Sequence, residues 1–215
     1  MINRIILLFT LWIFIKYFPS LKKYDSNTKF DVYRSLMCIY FSSCSLYNTI
    51  SNFSNGMNFP FKYNNEEITD INKWFIAYII LDLIQQISTK SKRIDLYIHH
   101  FWCLGVVSMA QYFKSGSFLV NLILINEAIS IVSGLDKIAM KENKMNESLK
   151  YKIYRKNIIK YLRLPIWIIL LVITLKKTNN IPNILWWGCI LTSLIMIKLD
   201  FYWEKKCNKV ILKYK

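Results

Sequence analysis

Histidine occurs only twice in the 215 residues, as the neighbours His99 and His100 in the stretch Arg93-Ile-Asp-Leu-Tyr-Ile-His-His. An imidazole titrates near neutral pH and can act as base, nucleophile or ligand. Two carboxylates lie inside otherwise apolar runs: Asp82 in Tyr78-Ile-Ile-Leu-Asp-Leu, and Glu127 in Asn126-Glu-Ala-Ile-Ser. In a bilayer such a group costs roughly 2.5 to 3.5 kcal/mol unless it pairs or faces a wet cavity. A carboxylate–imidazole cluster would meet that requirement and would support proton-transfer chemistry. The plainer alternatives are that the histidines reach interfacial water at a helix head and that the two acids bond to polar side chains of adjacent helices.

The elements that must bring these residues together are apolar. Hydrophobic residues make up 54% of the chain, aromatic residues 16%, and the mean hydropathy is positive. Apolar stretches fall near residues 2–18, 33–50, 74–88, 97–113, 117–135, 164–175 and 182–199, the sixth being the shortest. Each approaches the ~20 residues that a spanning helix needs, with extension into its flanks. Lipid leaves only helices or closed barrels, and no alternation of polar and apolar residues suggests a barrel. The expectation is an all-α polytopic bundle of six to seven spans, most simply seven. Arg4 followed by an apolar core resembles a signal peptide, but no small-residue cleavage pattern follows, so an uncleaved span is expected.

Charge placement sets an orientation. The net charge of +16 falls in the breaks between apolar runs, which leaves no compact basic domain for nucleic acid. If seven runs alternate, the N-terminus and the second, fourth and sixth breaks hold six of the 29 Lys and Arg residues. The first, third and fifth breaks and the tail hold the other 23. The cation-rich side is cytosolic by the positive-inside rule, so the N-terminus is expected in the lumen and the tail in the cytosol. His99 and His100 then lie ~5 to 10 Å inside the cytosolic end of the fourth run. Asp82 and Glu127 are five to eight residues from the same side. The break at 136–163 carries nine cations with Leu149, Ile153, Tyr154, Tyr161 and Leu162 at roughly helical spacing. It is expected to be an interfacial basic helix or a solvated linker, and the helix would touch anionic headgroups or a polyphosphate-bearing substrate.

Several chemistries are disfavoured. The five glycines are never four apart and form no phosphate loop or close-packed helix motif. Five cysteines without a framework spacing read as reduced filler. A di-iron site needs many histidines, a single zinc on one His and two carboxylates is the remaining metal arrangement, and no metal is expected. No Gly-x-Ser-Gly pattern marks a serine protease.

One order of motifs is familiar. Asp82 in one span, Arg93 and Asp95 leading to His99 and His100 in the next, and Asn126-Glu127 with Ser130 in the one after resemble the TLC (TRAM, LAG1, CLN8 homology) domain. Arg34 and Ser35 resemble its opening motif, and the resemblance covers about residues 31–200. It implies a helical barrel in the endoplasmic reticulum or a related internal membrane. In its ceramide-synthase branch, an acyl group passes from acyl-CoA to a sphingoid amine. By that resemblance His99 or His100 would be the base or acyl acceptor, Asp82 or Glu127 would orient the ring, and Arg34, Arg93, Asp95, Asn126 and Ser130 would contact lipid or substrate. The synthases carry a His-Asp pair and a further acid where this chain has Asn126-Glu127-Ala-Ile-Ser130. The chain therefore looks closer to the TLC proteins acting in lipid homeostasis, binding or trafficking, with a CoA-dependent N-acyltransferase as the alternative. The expected organisation is a first span with a basic linker (1–30), a TLC-like domain (31–203) and a basic tail (204–215). Membrane lipids are the expected partners, with acyl-CoA as co-substrate in the enzyme case and no other cofactor.

Overall fold

The computed structural model describes residues 1–176 and 181–213, so Lys177 and Lys215, both counted in the charge pattern, lie outside the described residues. The described residues are mainly helical and contain no strand. The helices are α1 (Ile2–Tyr17), α2 (Ser26–Ser51), α3 (Phe53–Asn58), α4 (Glu66–Ser88), α5 (Ile94–Tyr112), α6 (Ser117–Ile125), α7 (Ala128–Lys141), α8 (Met145–Ile158), α9 (Leu164–Leu175) and α10 (Asn183–Lys213).

Local sequence sets the boundaries. Asp25 caps α2 by accepting from the Thr28 backbone N–H at 2.7 Å, and Asn65 caps α4 by accepting from Glu67 at 2.8 Å. Helices α4, α5 and α7 end alike. Lys90, Lys114 and Asn143 adopt left-handed backbone, and the next residue's N–H reaches back five positions, to Gln86, Ala110 and Ala139 respectively. Those bonds satisfy carbonyls that the helix end would leave open.

Two continuous passes contain irregular turns. Helices α6 and α7 join through Asn126 and Glu127, which keep right-handed backbone but bond three residues back, to Ile123 and Leu124. Helices α8 and α9 join through a π turn at Ile159–Arg163. Both devices occur often at functional sites because they re-aim side chains without ending the helix.

The helical runs 117–141, 145–175 and 183–213 are long and apolar enough to cross a membrane. This revises the reading of the 136–163 break. Its first residues extend α7, and α8 is no separate interfacial helix but packs on α7 and α10 and continues into the short sixth run. Residues 204–213 continue α10 without a break.

Element ends gather in two groups. Lys23 and Tyr24 bond Glu142, Lys141 bonds Asp25, Lys137 bonds Asp31, and Trp203 bonds Asp95, which ties the first, third and fifth breaks to the last turns of α10. At the other end, Arg4 pairs with Asp70, and Gly116 and Ser115 both donate to the Phe61 carbonyl. The chain thus passes back and forth, as α1, α2, α4, α5, α6–α7, α8–α9 and α10.

Many polar side chains are buried beside the apolar core, and many large apolar side chains are exposed. Thr28, Asp31, Ser42, Ser45, Asn48, Asn72, Asp82, Gln86, His99 and His100 are buried, while Ile6, Leu7, Phe14, Ile39, Tyr47, Ile50, Phe101, Ile168, Val172, Leu191 and Leu194 are exposed. A soluble domain buries the second kind and exposes the first. The apolar part of the core is an aromatic wall between α1, α2 and α4, with Trp12 edge-on to Phe30 at 5.0 Å and Phe41 edge-on to Phe75 at 5.3 Å. Where α2 crosses α7, Gly134 allows close approach: a Cβ there would lie 2.0 Å from the Ser35 Oγ and 3.2 Å from the Asp31 carbonyl.

Candidate functional site

The four ionisable residues singled out from the sequence are gathered in the interior. Asp82 is 0% exposed, Glu127 4%, and His99 and His100 6% each. They are joined as two pairs rather than one cluster around a single atom, as adjacent helix positions about 100° apart require.

His100 belongs to the tighter pair. Its Nε2 lies 3.1 Å from Asp82 Oδ2, and its Nδ1 lies 2.6 Å from the Gln86 side-chain nitrogen, one turn further along α4. A neutral ring donating to Asp82 and accepting from Gln86 has both nitrogens engaged. Asp82 also receives two bonds from Arg34, Nη2 to Oδ1 at 2.5 Å and Nε to Oδ2 at 3.2 Å. Arg34 donates in addition to Asp31 at 2.7 Å, and Asp31 takes two bonds from Lys137. The result is a chain of alternating charge, Lys137–Asp31–Arg34–Asp82, across α7, α2 and α4, which ends on the His100 ring of α5. Fork-shaped pairing of this kind is what keeps a buried carboxylate ionised.

His99 is held more loosely. Its Nε2 stands 3.6 Å from Glu127 Oε1, beyond hydrogen-bond range, and its Nδ1 faces the Met196 sulfur at 3.3 Å and the Cys103 sulfur at 3.8 Å. Sulfur is a weak partner, so this ring keeps capacity to bond elsewhere. Trp203 packs edge-on against it at 5.8 Å. The other Glu127 oxygen meets the Cys38 thiol at 3.7 Å.

Both histidines line an inward cavity of about 220 Å3, together with Arg34, Tyr78, Arg93, Ser130, Lys137, Arg155, Arg163 and Trp203. A second cavity of about 200 Å3 shares Asp31, Arg34, Arg93, Leu96 and Lys137 with it and extends to Gln85, Thr89 and Ser91 at the cation-rich end. The two cavities thus share a wall of mostly charged residues, and the second lies at the end that carries most of the charge.

The remaining residues expected at the site divide. Arg93 and Asp95 form a two-bond pair at 2.8 and 2.6 Å at the head of α5, and Asp95 also accepts from the Trp203 indole at 2.7 Å. Arg93 lines the cavity, whereas Asp95 positions Arg93 and Trp203 from behind. Ser130 lines the cavity, and its carbonyl faces the Ser35 hydroxyl at 3.4 Å. Asn126 is 1% exposed, and neither atom of its side-chain amide has a hydrogen-bond partner.

Several participants carried no signal in the sequence. Arg163 projects from the π turn, donates from Nε to Asp200 and from Nη1 to the Asn126 carbonyl, both at 2.8 Å, and lies over the Trp203 ring. It thus holds the irregular turn next to Glu127 in place. Asp200, Trp203, Gln86, Met196 and Arg155 were also not singled out. Asp200 sits at the edge of an apolar run, where an acid is ordinary, and Arg155 and Arg163 are two of nine cations in one break.

Among the described residues no group of three or more His, Cys, Asp or Glu side chains is placed to hold a metal ion. No protein-family model, curated protein or solved structure matches this chain.

Proposed function

We propose that this chain is a multi-pass membrane protein of TLC type that takes the polar end of a membrane lipid into the histidine-lined cavity, in lipid binding, transfer or homeostasis. The observation that carries this reading is a pair of histidine–carboxylate contacts beside an inward cavity, inside a bundle that exposes many large apolar side chains. An exterior of this kind is suited to lipid tails, and a polar cavity wall is suited to a headgroup. Seven membrane crossings belong to this reading, which is supported by seven helical passes alternating between two sets of ends and by the concentration of cations on one set. On this reading the cation-rich ends, with the cavity mouth, face the cytosol, and the membrane is the endoplasmic reticulum or a related internal one.

A second reading, a CoA-dependent N-acyltransferase, is favoured by the loose partners of His99. In that reaction the acyl-CoA thioester bond breaks, an amide bond forms to the amine, and His99 takes the amine proton and passes it to the departing CoA thiolate, which leaves as the thiol. Arg34, Arg93 and Lys137 near the mouth suit the CoA phosphates. His100, with both ring nitrogens engaged, would position rather than react.

The test is expression of the wild type, His99→Ala and His100→Ala, with lipid profiling of the cells, native mass spectrometry of co-purified lipid, and acyl-CoA turnover in purified membranes. Lipid handling predicts a co-purified lipid and an altered profile that His99→Ala abolishes, without CoA release. CoA release dependent on His99 selects the enzyme. A wild type carrying no lipid and leaving the profile unchanged rejects both.

A further inference from the structure

The cations around the cavity are not equally compensated. Arg34 is paired with Asp31 and Asp82, Lys137 with Asp31, Arg93 with Asp95, and Arg163 with Asp200. Arg155, which is partly buried, forms no ion pair among the described residues, and its buried Nε has no hydrogen-bond partner. Asp136, the acid nearest in the cavity wall, is occupied by Ser148 at 2.5 Å and by Lys152. Arg163 is only 1% exposed, and its Nη2 is also without a partner. Both arginines line the cavity that holds His99 and His100.

A guanidinium withdrawn from water without a counter-charge is costly, and that cost falls when an anion with several acceptor oxygens fills the site. The planar fork of arginine matches phosphate oxygens two at a time. Arg155, Ile159 and Arg163 lie four apart, so α8 and its π turn present both arginines on one side, with Ile159 fully buried between them. We propose that Arg155 and Arg163 form a phosphate subsite in this cavity, so that the lipid it takes carries a phosphate headgroup. This rests on the lipid reading above and specifies the class of lipid.

The experiment uses the full chain purified in a neutral maltoside detergent, with four probes measured by native mass spectrometry and calorimetry. They are dioleoyl phosphatidic acid, dioleoylglycerol with the same tails, CoA and inorganic phosphate. Phosphatidic acid should bind at least about tenfold more tightly than dioleoylglycerol, and Arg155→Gln should remove most of that difference while leaving dioleoylglycerol binding unchanged. Lys160→Gln, which removes an exposed cation from the π turn, should leave the preference intact and so separates the subsite from general surface charge. The melting temperature of Arg155→Gln should stay level or rise, because the substitution removes a partly buried cation that no carboxylate among the described residues pairs. Equal binding of the two lipids, or a preference that survives Arg155→Gln, overturns the subsite while the lipid cavity stands. CoA or inorganic phosphate binding that depends on Arg155, with neither lipid bound, upholds the subsite and rejects the lipid reading. No binding by any probe rejects both.

Discussion

At the residue scale the two histidines are not interchangeable, despite being adjacent and equally buried. His100 is fixed between Asp82 and Gln86, and Asp82 is at the same time the main counter-charge for Arg34. Removing that carboxylate would leave a guanidinium with only Asp31, which Lys137 also uses. Asp82→Asn should therefore destabilise the protein by about 3 to 5 kcal/mol, the usual consequence of breaking a buried pair from one side. Glu127→Gln should cost clearly less, because its contacts with His99 and Cys38 are long. Thermal unfolding in detergent ranks the two variants, and the reverse order would show that Glu127 rather than Asp82 anchors the interior.

At the element scale, the junction between the start of α2 and the end of α7 is pH-sensitive. Asp25 caps α2 and also pairs with Lys141, and the Lys141 ammonium first, then the Thr28 backbone N–H, hold its carboxyl down at about 2. A carboxyl depressed by folding stabilises the fold fully above its ordinary value of 3.8, and that contribution disappears as the pH falls through about 2. Asp25→Ala should cost about 1 kcal/mol at neutral pH, and its deficit relative to wild type should narrow between pH 4 and pH 2 in equilibrium unfolding. The helices themselves, the inward-facing Asp82 and Glu127, and their proximity to the histidines were legible in the sequence, because a charge inside an apolar run must find a partner. The joining of α8 to α9 was not. Ile158, Ile159, Tyr161 and Leu162 among Lys156, Lys160 and Arg163 mimic an amphipathic surface helix, and only packing against α7 and α10 shows that the run continues. The turn at Asn126 and Glu127 was equally hidden, because it contains no glycine or proline and its stabilising contact, Arg163, lies 37 positions away.

At the scale of the whole molecule, orientation can be checked with natural acceptor sites. Asn52-Phe-Ser54 lies beyond α2 at the cation-poor end, and Asn146-Glu-Ser148 opens α8 at the cation-rich end. Asn146 is exposed, yet the proposed arrangement keeps it in the cytosol, so it should remain unmodified after expression in a glycosylating cell. A mass shift removed by Asn146→Gln would invert the topology. Asn52 gives little leverage, because its side chain is bonded to the Asn48 carbonyl and the Tyr63 hydroxyl at the end of α2. The π turn at Ile159–Arg163 bears on how this chain tolerates length changes. A π turn amounts to one surplus residue wound into an α-helix, so excising one residue there would restore a regular helix with every individual side-chain type still present. Because the wide turn absorbs the surplus residue, the flanking helix would keep its register, and the change would fall on the turn itself, from which Arg163 reaches Asp200 and the Asn126 carbonyl. The width of this one turn, rather than any single chemical group, is thus what sets the reach of Arg163.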